Sequence, residues 1–119
     1  MSVRAVRGAV TVERDDRDDV LAATGGLLGE MLSRNGLSEA DVISAVFTAT
    51  PDLRSCFPAE AARRAGWADV PLLDAVEIDV AGALERCVRV LLHVETDLAR
   101  SAVQHVYLGE ARALRDDLA

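Results

Sequence analysis

The chain has 119 residues, 50% of them hydrophobic but only 3% aromatic, so we expect one domain, residues 1–119, around an aliphatic core. Thirteen basic residues stand against 20 acidic ones, and the net charge of −7 argues against nucleic acid and anionic membranes as partners. All 13 basic residues are arginine, and the lack of lysine excludes Schiff-base chemistry, pyridoxal phosphate attachment and a phosphate-loop lysine.

The cysteines and histidines give no sign of a disulfide framework or a metal site. Cys56 and Cys87 form no CxxC pair, and the first residues lack the apolar run of a signal peptide. No stretch approaches the roughly 20 apolar residues that cross a bilayer. We therefore expect a reduced, cytoplasmic protein. His93 and His105 stand outside any spaced set of ligands, so no metal is expected.

The first half of the chain predicts a strand, a long helix and a second strand. Residues 3–10 alternate and are rich in valine, which predicts a strand ending near Gly8, with Arg7 on the same face as apolar side chains. Apolar side chains at helical spacing, acidic residues before them and a glycine after them predict a helix over about 16–34. The continuous apolar run at 42–49 predicts a buried strand.

The second half predicts a short helix and further strands. Pro58 and the alanine-rich run after it predict a helix over about 58–65. Strands are predicted at 69–78, where a proline weakens the pattern, at 87–95 and at 103–108, and a polar, arginine-bearing tail follows. Together the elements predict an α+β fold, in which a mixed β-sheet is packed by one long and one short helix.

Arginine within strands is the feature that points to chemistry. The sequence has no GxSxG, HExxH or GxGxxG pattern and no phosphate loop. Arg7 and Arg89 each lie among aliphatic strand residues, where a guanidinium must reach solvent, pair with a carboxylate or bind an anionic ligand. Glu77 and Tyr107 lie at predicted strand ends. These patterns alone indicate an anion-binding domain and leave a structural ion pair open.

Five segments carry a family resemblance. They are RGAVTVERD (7–15), TATPDLRSCFPAEAAR (48–63), VPL (70–72), CVRV (87–90) and HVYLGEARALRDDL (105–118). In this order, with almost no gaps and over nearly the whole chain, they resemble the AroH class of monofunctional chorismate mutases.

The resemblance implies a fold, an assembly and a reaction. The fold is that of a homotrimer whose sheets form a pseudo-α/β barrel, with active sites in clefts between subunits. The reaction is the Claisen rearrangement of chorismate to prephenate, on the route to phenylalanine and tyrosine. It is an isomerisation that uses no cofactor, proton transfer or nucleophile, so the enzyme has to fold the substrate and stabilise charge on its ether oxygen.

The resemblance also assigns roles to the residues of one group. Arg89 matches the arginine aimed at the ether oxygen and at one carboxylate. Arg7 matches a residue that binds a substrate carboxylate, with the phenol of Tyr107 beside it. Glu77 matches the carboxylate that hydrogen-bonds the ring hydroxyl. Arg89, Glu77 and Arg7 are the predicted catalytic residues.

A second group is implied to surround the substrate. Phe57 matches an apolar wall, Arg63 a cation at the cleft mouth and Leu73 a backbone position in the pocket. Leu114 and Arg115 fall in a tail that orders over the ligand. Plain packing stays open for Phe57 and Leu114, and a solvated helix position stays open for Arg63.

Two residues depart from the family pattern, and they motivate alternatives. Glu60 replaces a lysine of many relatives, and Asp74 stands beside the substrate hydroxyl, where some relatives have a small residue. Both add negative charge near a dianion's path, which would slow or weaken capture, although Asp74 could accept a hydrogen bond from the hydroxyl. One alternative is a weak or inactive homologue that binds a dicarboxylate in a regulatory role. Another is a relative of trimeric imine deaminases, which the matching residues disfavour.

Overall fold

The computed structural model describes the backbone of residues 1–117 and the side chains of residues 1–114. The helices and strands are β1 (Ser2–Thr11), α1 (Arg17–Ser33), β2 (Val42–Ala49), α2 (Glu60–Arg64), β3 (Leu72–Val76), β4 (Cys87–Thr96) and β5 (Val106–Leu108). Short 3-10 helices cover Glu39–Asp41 and Arg100–Ala102, and a longer one covers Gly109–Asp117. Within the described residues, no helix has the length and apolar character needed to span a membrane.

The five strands form one mixed sheet in the order β3-β2-β4-β1-β5. Strand β4 lies in the centre and runs antiparallel to both β1 and β2. The two edge strands are parallel to their neighbours, β3 to β2 and β5 to β1. The prediction of an α+β fold with a mixed sheet is therefore confirmed.

Helix α1 covers one face of the sheet and leaves the other open. Gly8 of β1 faces α1, where an added Cβ would collide with Met31 and Leu27, so a glycine is what allows this close approach. Because side chains alternate along a strand, Arg7 and Ala9 point to the opposite face. We call this second side of the sheet the open face, and β4 contributes Arg89 to it opposite Ala9.

The long helix begins and ends close to the predicted boundaries. Asp16 is its N-cap and accepts a hydrogen bond from the Asp19 backbone N–H at 3.1 Å, and Gly36 closes the end with a φ of 62°. The buried Asn35 side chain then binds three backbone groups, Met31 C=O, Gln104 C=O and Gln104 N–H, at 2.7 to 2.8 Å. This side chain fastens the end of α1 to the segment that leads into β5.

Three predicted elements are shorter than the sequence pattern indicated. The helix predicted over 58–65 is only α2, Glu60–Arg64, because the chain turns first at Pro58. The strand predicted over 69–78 is only β3, since the imide nitrogen of Pro71 has no hydrogen to donate to a ladder. The strand predicted over 103–108 is only Val106–Leu108, because Asn35 already occupies the backbone groups of Gln104.

Candidate active site

Arg89 lies at the centre of the open face and is held by one edge of its guanidinium. Its Nε donates to both carboxylate oxygens of Glu77, at 3.1 and 3.2 Å, and its side chain is 33% exposed. Neither Nη group forms a hydrogen bond within the described residues. The ion pair therefore fixes the plane of the guanidinium and leaves the two Nη groups available to an anion.

Glu77 is fixed as firmly as the arginine it holds. It follows β3, and its backbone N–H donates to Ala49 C=O at 2.9 Å. Its Oε2 accepts a hydrogen bond from Thr48 Oγ1 at 2.7 Å as well as the bond from Arg89 Nε. The carboxylate is only 15% exposed. Since a carboxylate offers about four acceptor positions, Oε1 keeps one for a donor on a ligand.

Arg7 lies on β1, next to the strand of Arg89, and Tyr107 lies on β5, the next strand beyond β1. The Arg7 backbone N–H donates to Nδ1 of His105 at 3.0 Å, and its exposed side chain forms no ion pair with any described residue. Tyr107 is 6% exposed, and its buried hydroxyl has no hydrogen-bond partner in the described part of the chain. A buried hydroxyl without a partner is costly, so this group is suited to a ligand that supplies an acceptor.

These side chains surround one cavity of about 290 Å³. It is lined by Arg7, Gly8, Ala9, Val46, Thr48, Arg89, Val90, Leu91 and Tyr107. Two permanent cations and two hydroxyls thus stand around an aliphatic floor. The volume matches a small metabolite, and the charged groups match one that carries carboxylates.

The nearest thiol is not a candidate nucleophile. Burial raises the pKa of Cys87 to about 11, the nearby Arg89 guanidinium offsetting only part of the effect, so the thiol is protonated at neutral pH. Among the described residues, no three His, Cys, Asp or Glu side chains converge as a metal site would require. The arrangement is one that binds and orients an anion through fixed hydrogen-bond donors.

Comparison with known proteins gives this geometry a family. The model of the family described as chorismate mutase type I matches residues 3–118. The chain belongs to the chorismate mutase type I family. The chorismate mutase AroH of Bacillus subtilis (strain 168) is 42% identical over 119 aligned residues, covering 99% of this chain and 94% of that protein. The chorismate mutase AroH of Thermus thermophilus is 50% identical over 117, covering 98% and 96%.

A solved structure of this family has the same fold. The chorismate mutase from Clostridium thermocellum superposes with a TM-score of 0.90 at 49% sequence identity, covering 92% of this chain and 97% of that one. At this coverage and TM-score the two chains share the same fold over most of their length.

Three residues that the chorismate mutase resemblance predicts around the substrate, Phe57, Arg63 and Leu73, lie apart from this cavity in one chain. Leu73 is on edge strand β3, three strand spacings and therefore about 14 Å from the strand of Arg7. Phe57 and Leu73 are exposed, at 69% and 62%, and Arg63 is exposed on α2. One chain therefore brings Arg7, Glu77, Arg89 and Tyr107 together and leaves Phe57, Arg63 and Leu73 apart from them.

Of the two predicted tail residues, Leu114 lies near Tyr107. It packs against the small cluster formed by Ala9, Cys87, Tyr107 and Ala111, two of which, Ala9 and Tyr107, line the cavity. The side chain of Arg115 lies outside the described residues.

The two acidic departures from the family pattern both have partners. The Glu60 carboxylate pairs with Arg17 of α1 and with Arg64, whose Nε lies 3.4 Å away. Asp74 Oδ1 accepts the backbone N–H of Ala59 at 3.0 Å. Neither carboxylate stands alone as a free negative charge.

Sequence reasoning missed two residues that shape the site. Thr48 orients Glu77 and lines the cavity, and His105 accepts the Arg7 backbone N–H. Thr48 stands out only as the one polar side chain near the end of an apolar strand. Its role depends on the register that sets it opposite Arg89, and a sequence does not give that register.

Proposed function

We propose that this protein is a chorismate mutase, an isomerase that converts chorismate to prephenate. The observation that carries the proposal is the cavity in which Arg89 is clamped to Glu77 with both Nη groups unused, beside Arg7 and the unpartnered Tyr107 hydroxyl. Family membership supports the same reaction.

The reaction asks for positioning and charge stabilisation. One C–O ether bond breaks while a C–C bond forms in the same molecule, and no proton or external electron pair is transferred. Negative charge grows on the ether oxygen as the C–O bond lengthens. An acceleration of about a millionfold corresponds to about 8 kcal/mol of transition-state stabilisation. Fixed hydrogen-bond donors in a partly dehydrated cavity are the usual source of transition-state stabilisation of this size.

Each group has a role in this scheme. Arg89 directs an Nη group to the ether oxygen, and its rigid link to Glu77 means that no reorganisation is needed during the reaction. Arg7 and Tyr107 bind a substrate carboxylate. Glu77 accepts a hydrogen bond from the ring hydroxyl at the free position on Oε1.

We further infer a homotrimer in which a neighbouring copy completes each site with Phe57, Arg63 and Leu73. The sheets of the three copies together form a pseudo-α/β barrel. Large apolar side chains exposed on and after β3 support an interface there. They are Leu73, Val76, Ile78 and Val80, which are 60% to 87% exposed. A reducing compartment such as the cytoplasm fits Cys56 and Cys87, which are both free thiols.

Loss of chorismate absorbance after addition of purified protein, with prephenate identified as the product, tests the proposed reaction. Tight chorismate binding in calorimetry without turnover would refute it and favour a dicarboxylate-binding homologue. The assembly is tested by mass in solution and by mixing Arg89→Ala with Arg63→Ala chains. Sites shared between copies regain both arginines in a fraction of mixed trimers, so activity returns, whereas sites within one chain stay inactive.

A further inference from the structure

We propose that Asp74 is a positioning residue, whose carboxylate holds the segment of Phe57 and Arg63 against β3 and so sets how these two side chains reach the substrate. This inference rests on the proposed function. It assigns Asp74 a partner inside its own chain in place of the substrate hydroxyl.

The contact itself is specific. Asp74 lies in the middle of β3, opposite Phe47 of β2, and its Oδ1 accepts the Ala59 N–H at 3.0 Å. Ala59 is completely buried, so water does not readily replace this acceptor. No other acceptor for this N–H is present among the described residues. Asp74 therefore satisfies a buried backbone donor that is otherwise unpaired.

Ala59 lies at the start of α2, so a bond to its backbone affects the whole of this short helix. Ala59 is the N-cap of α2, and its methyl side chain cannot cap the helix. Helix α2 has only five residues, too few to hold a fixed position by its own hydrogen bonds. Phe57 lies two residues before Ala59, and Arg63 lies within α2. Fixing Ala59 therefore fixes both.

Other contacts also hold this segment: Ala61 and Ala62 are buried in the core, and Asp15 accepts the backbone N–H groups of Arg54 and Ser55. Leu73, the preceding residue in β3, points to the open side because strand side chains alternate, while Asp74 points back toward α2. The ion pair of α2 with α1 runs from Glu60 to Arg17, between side chains that are 27% and 47% exposed. Ion pairs of this kind are screened by water and salt. The bond from Asp74 is the hydrogen bond that joins the N-cap of α2 to the sheet, and it adds a fixed direction to the non-directional packing of the buried alanines.

Steady-state kinetics with chorismate test the proposal in four variants: Asp74→Ala, Asp74→Asn, Arg63→Ala and the double variant Asp74→Ala/Arg63→Ala. We expect Asp74→Ala to raise KM about tenfold with a smaller change in kcat, the order expected when a hydrogen bond that places a binding group is lost. Asp74→Asn keeps an acceptor oxygen, so its KM is expected to lie close to that of the parent. Asp69→Ala, which removes an exposed carboxylate just before β3, is the matched control for charge.

The double variant separates positioning from direct contact. If Asp74 acts through the segment of Phe57 and Arg63, removing it raises KM by a smaller factor in the absence of Arg63 than in the parent, so the two effects fall short of multiplying. Multiplying effects of the two substitutions would overturn the proposal, as would an unchanged KM in Asp74→Ala. If Asp74→Ala does not fold, the test rests on Asp74→Asn. A KM close to that of the parent supports positioning, and a KM raised about tenfold would show that the charge of Asp74 acts on the substrate, which overturns the proposal.

Amide hydrogen exchange keeps this test independent of the proposed reaction. In Asp74→Ala without substrate, the amides of Ala59 and the first residues of α2 are expected to exchange faster, while the amide of Val90 in β4 is unchanged. Unchanged exchange at Ala59 would refute the anchoring contact. If the parent protein leaves chorismate unaltered, the proposed function fails, yet the exchange experiment still reports on Asp74.

Discussion

Replacing Arg89 by lysine is the sharpest test of how the site works. Lysine keeps the positive charge but has one nitrogen where arginine has three. In the structure, Nε of Arg89 donates to Glu77, Arg89 lines the cavity, and its Nη groups form no hydrogen bond with the described residues. A lysine ammonium would have to choose between pairing with Glu77 and reaching the ether oxygen.

The size of the effect follows from this choice. Losing one preorganised donor to a developing oxyanion typically costs about 2.7–4 kcal/mol, which is about 10²–10³ in kcat. Stability should change by less than about 1 kcal/mol, because the substituted lysine could still pair with Glu77 and the Arg89 side chain is one-third exposed. We therefore expect kcat to fall by at least about a hundredfold in a protein that remains folded.

Initial rates of chorismate loss, thermal unfolding and mass in solution are measured together for this variant. Arg34→Lys, at an exposed position just beyond α1, is the control for the same exchange away from the site. A kcat for Arg89→Lys within about threefold of the parent would show that the forked geometry of Arg89 is not what stabilises the transition state.

Three further predictions concern the scaffold around the site. Gly8→Ala should lower the free energy of unfolding by about 1–3 kcal/mol, because its Cβ would collide with the buried Met31. Gly29→Ala, with open space around it, should raise the free energy of unfolding by about 0.4–1 kcal/mol. Equal effects of the two substitutions in urea unfolding would contradict this packing. Asn35→Ala should cost roughly 1.5–4.5 kcal/mol, since three hydrogen bonds of about 0.5–1.5 kcal/mol each are lost, and an unchanged melting temperature would refute this. Burial and the nearby Arg7 lower the pKa of His105, so the unfolded chain binds this proton more readily than the folded chain does. The free energy of unfolding is therefore unaffected by His105 well above pH 6.5 and decreases as pH falls below it. His105→Asn keeps an acceptor without titrating, so its melting temperature should depend less on pH, and an identical pH dependence would exclude this role for His105.

Central strands could be predicted from the sequence better than edge strands. The predicted bounds of β2 equal the observed ones and those of β4 differ by one residue, because both strands lie between other strands and carry long runs of apolar residues. The ends of β3 and β5 depend on groups far away in the sequence, as when Asn35 binds Gln104. Local patterns do not contain such contacts.

Within the site, the arginines could be found from the sequence but their partners could not. Arg7 and Arg89 stood out because a charge among aliphatic strand residues needs an explanation. Glu77 follows β3 and Arg89 lies on β4, and β2 lies between these two strands in the sheet. The contact between the two side chains therefore depends on the order of the strands, which the sequence does not give. The assignment of Glu77 came from family resemblance, and its physical reason is visible only in the folded chain.

Charge balance gives a reason for a site shared between copies. Arg7 and Arg89 contribute two positive charges at the cavity and Glu77 removes one, which leaves one positive charge for a substrate that is a dianion. The chain as a whole carries −7, but charges beyond about 8–10 Å are largely screened by physiological salt, so the local sum matters most. In the proposed trimer, Arg63 of an adjacent copy would bring that sum to two, since Glu60 near it is already paired with Arg17 and Arg64. On this proposal the site would match a dianion in charge only after assembly, and an isolated chain would bind chorismate weakly even with Arg89 correctly oriented.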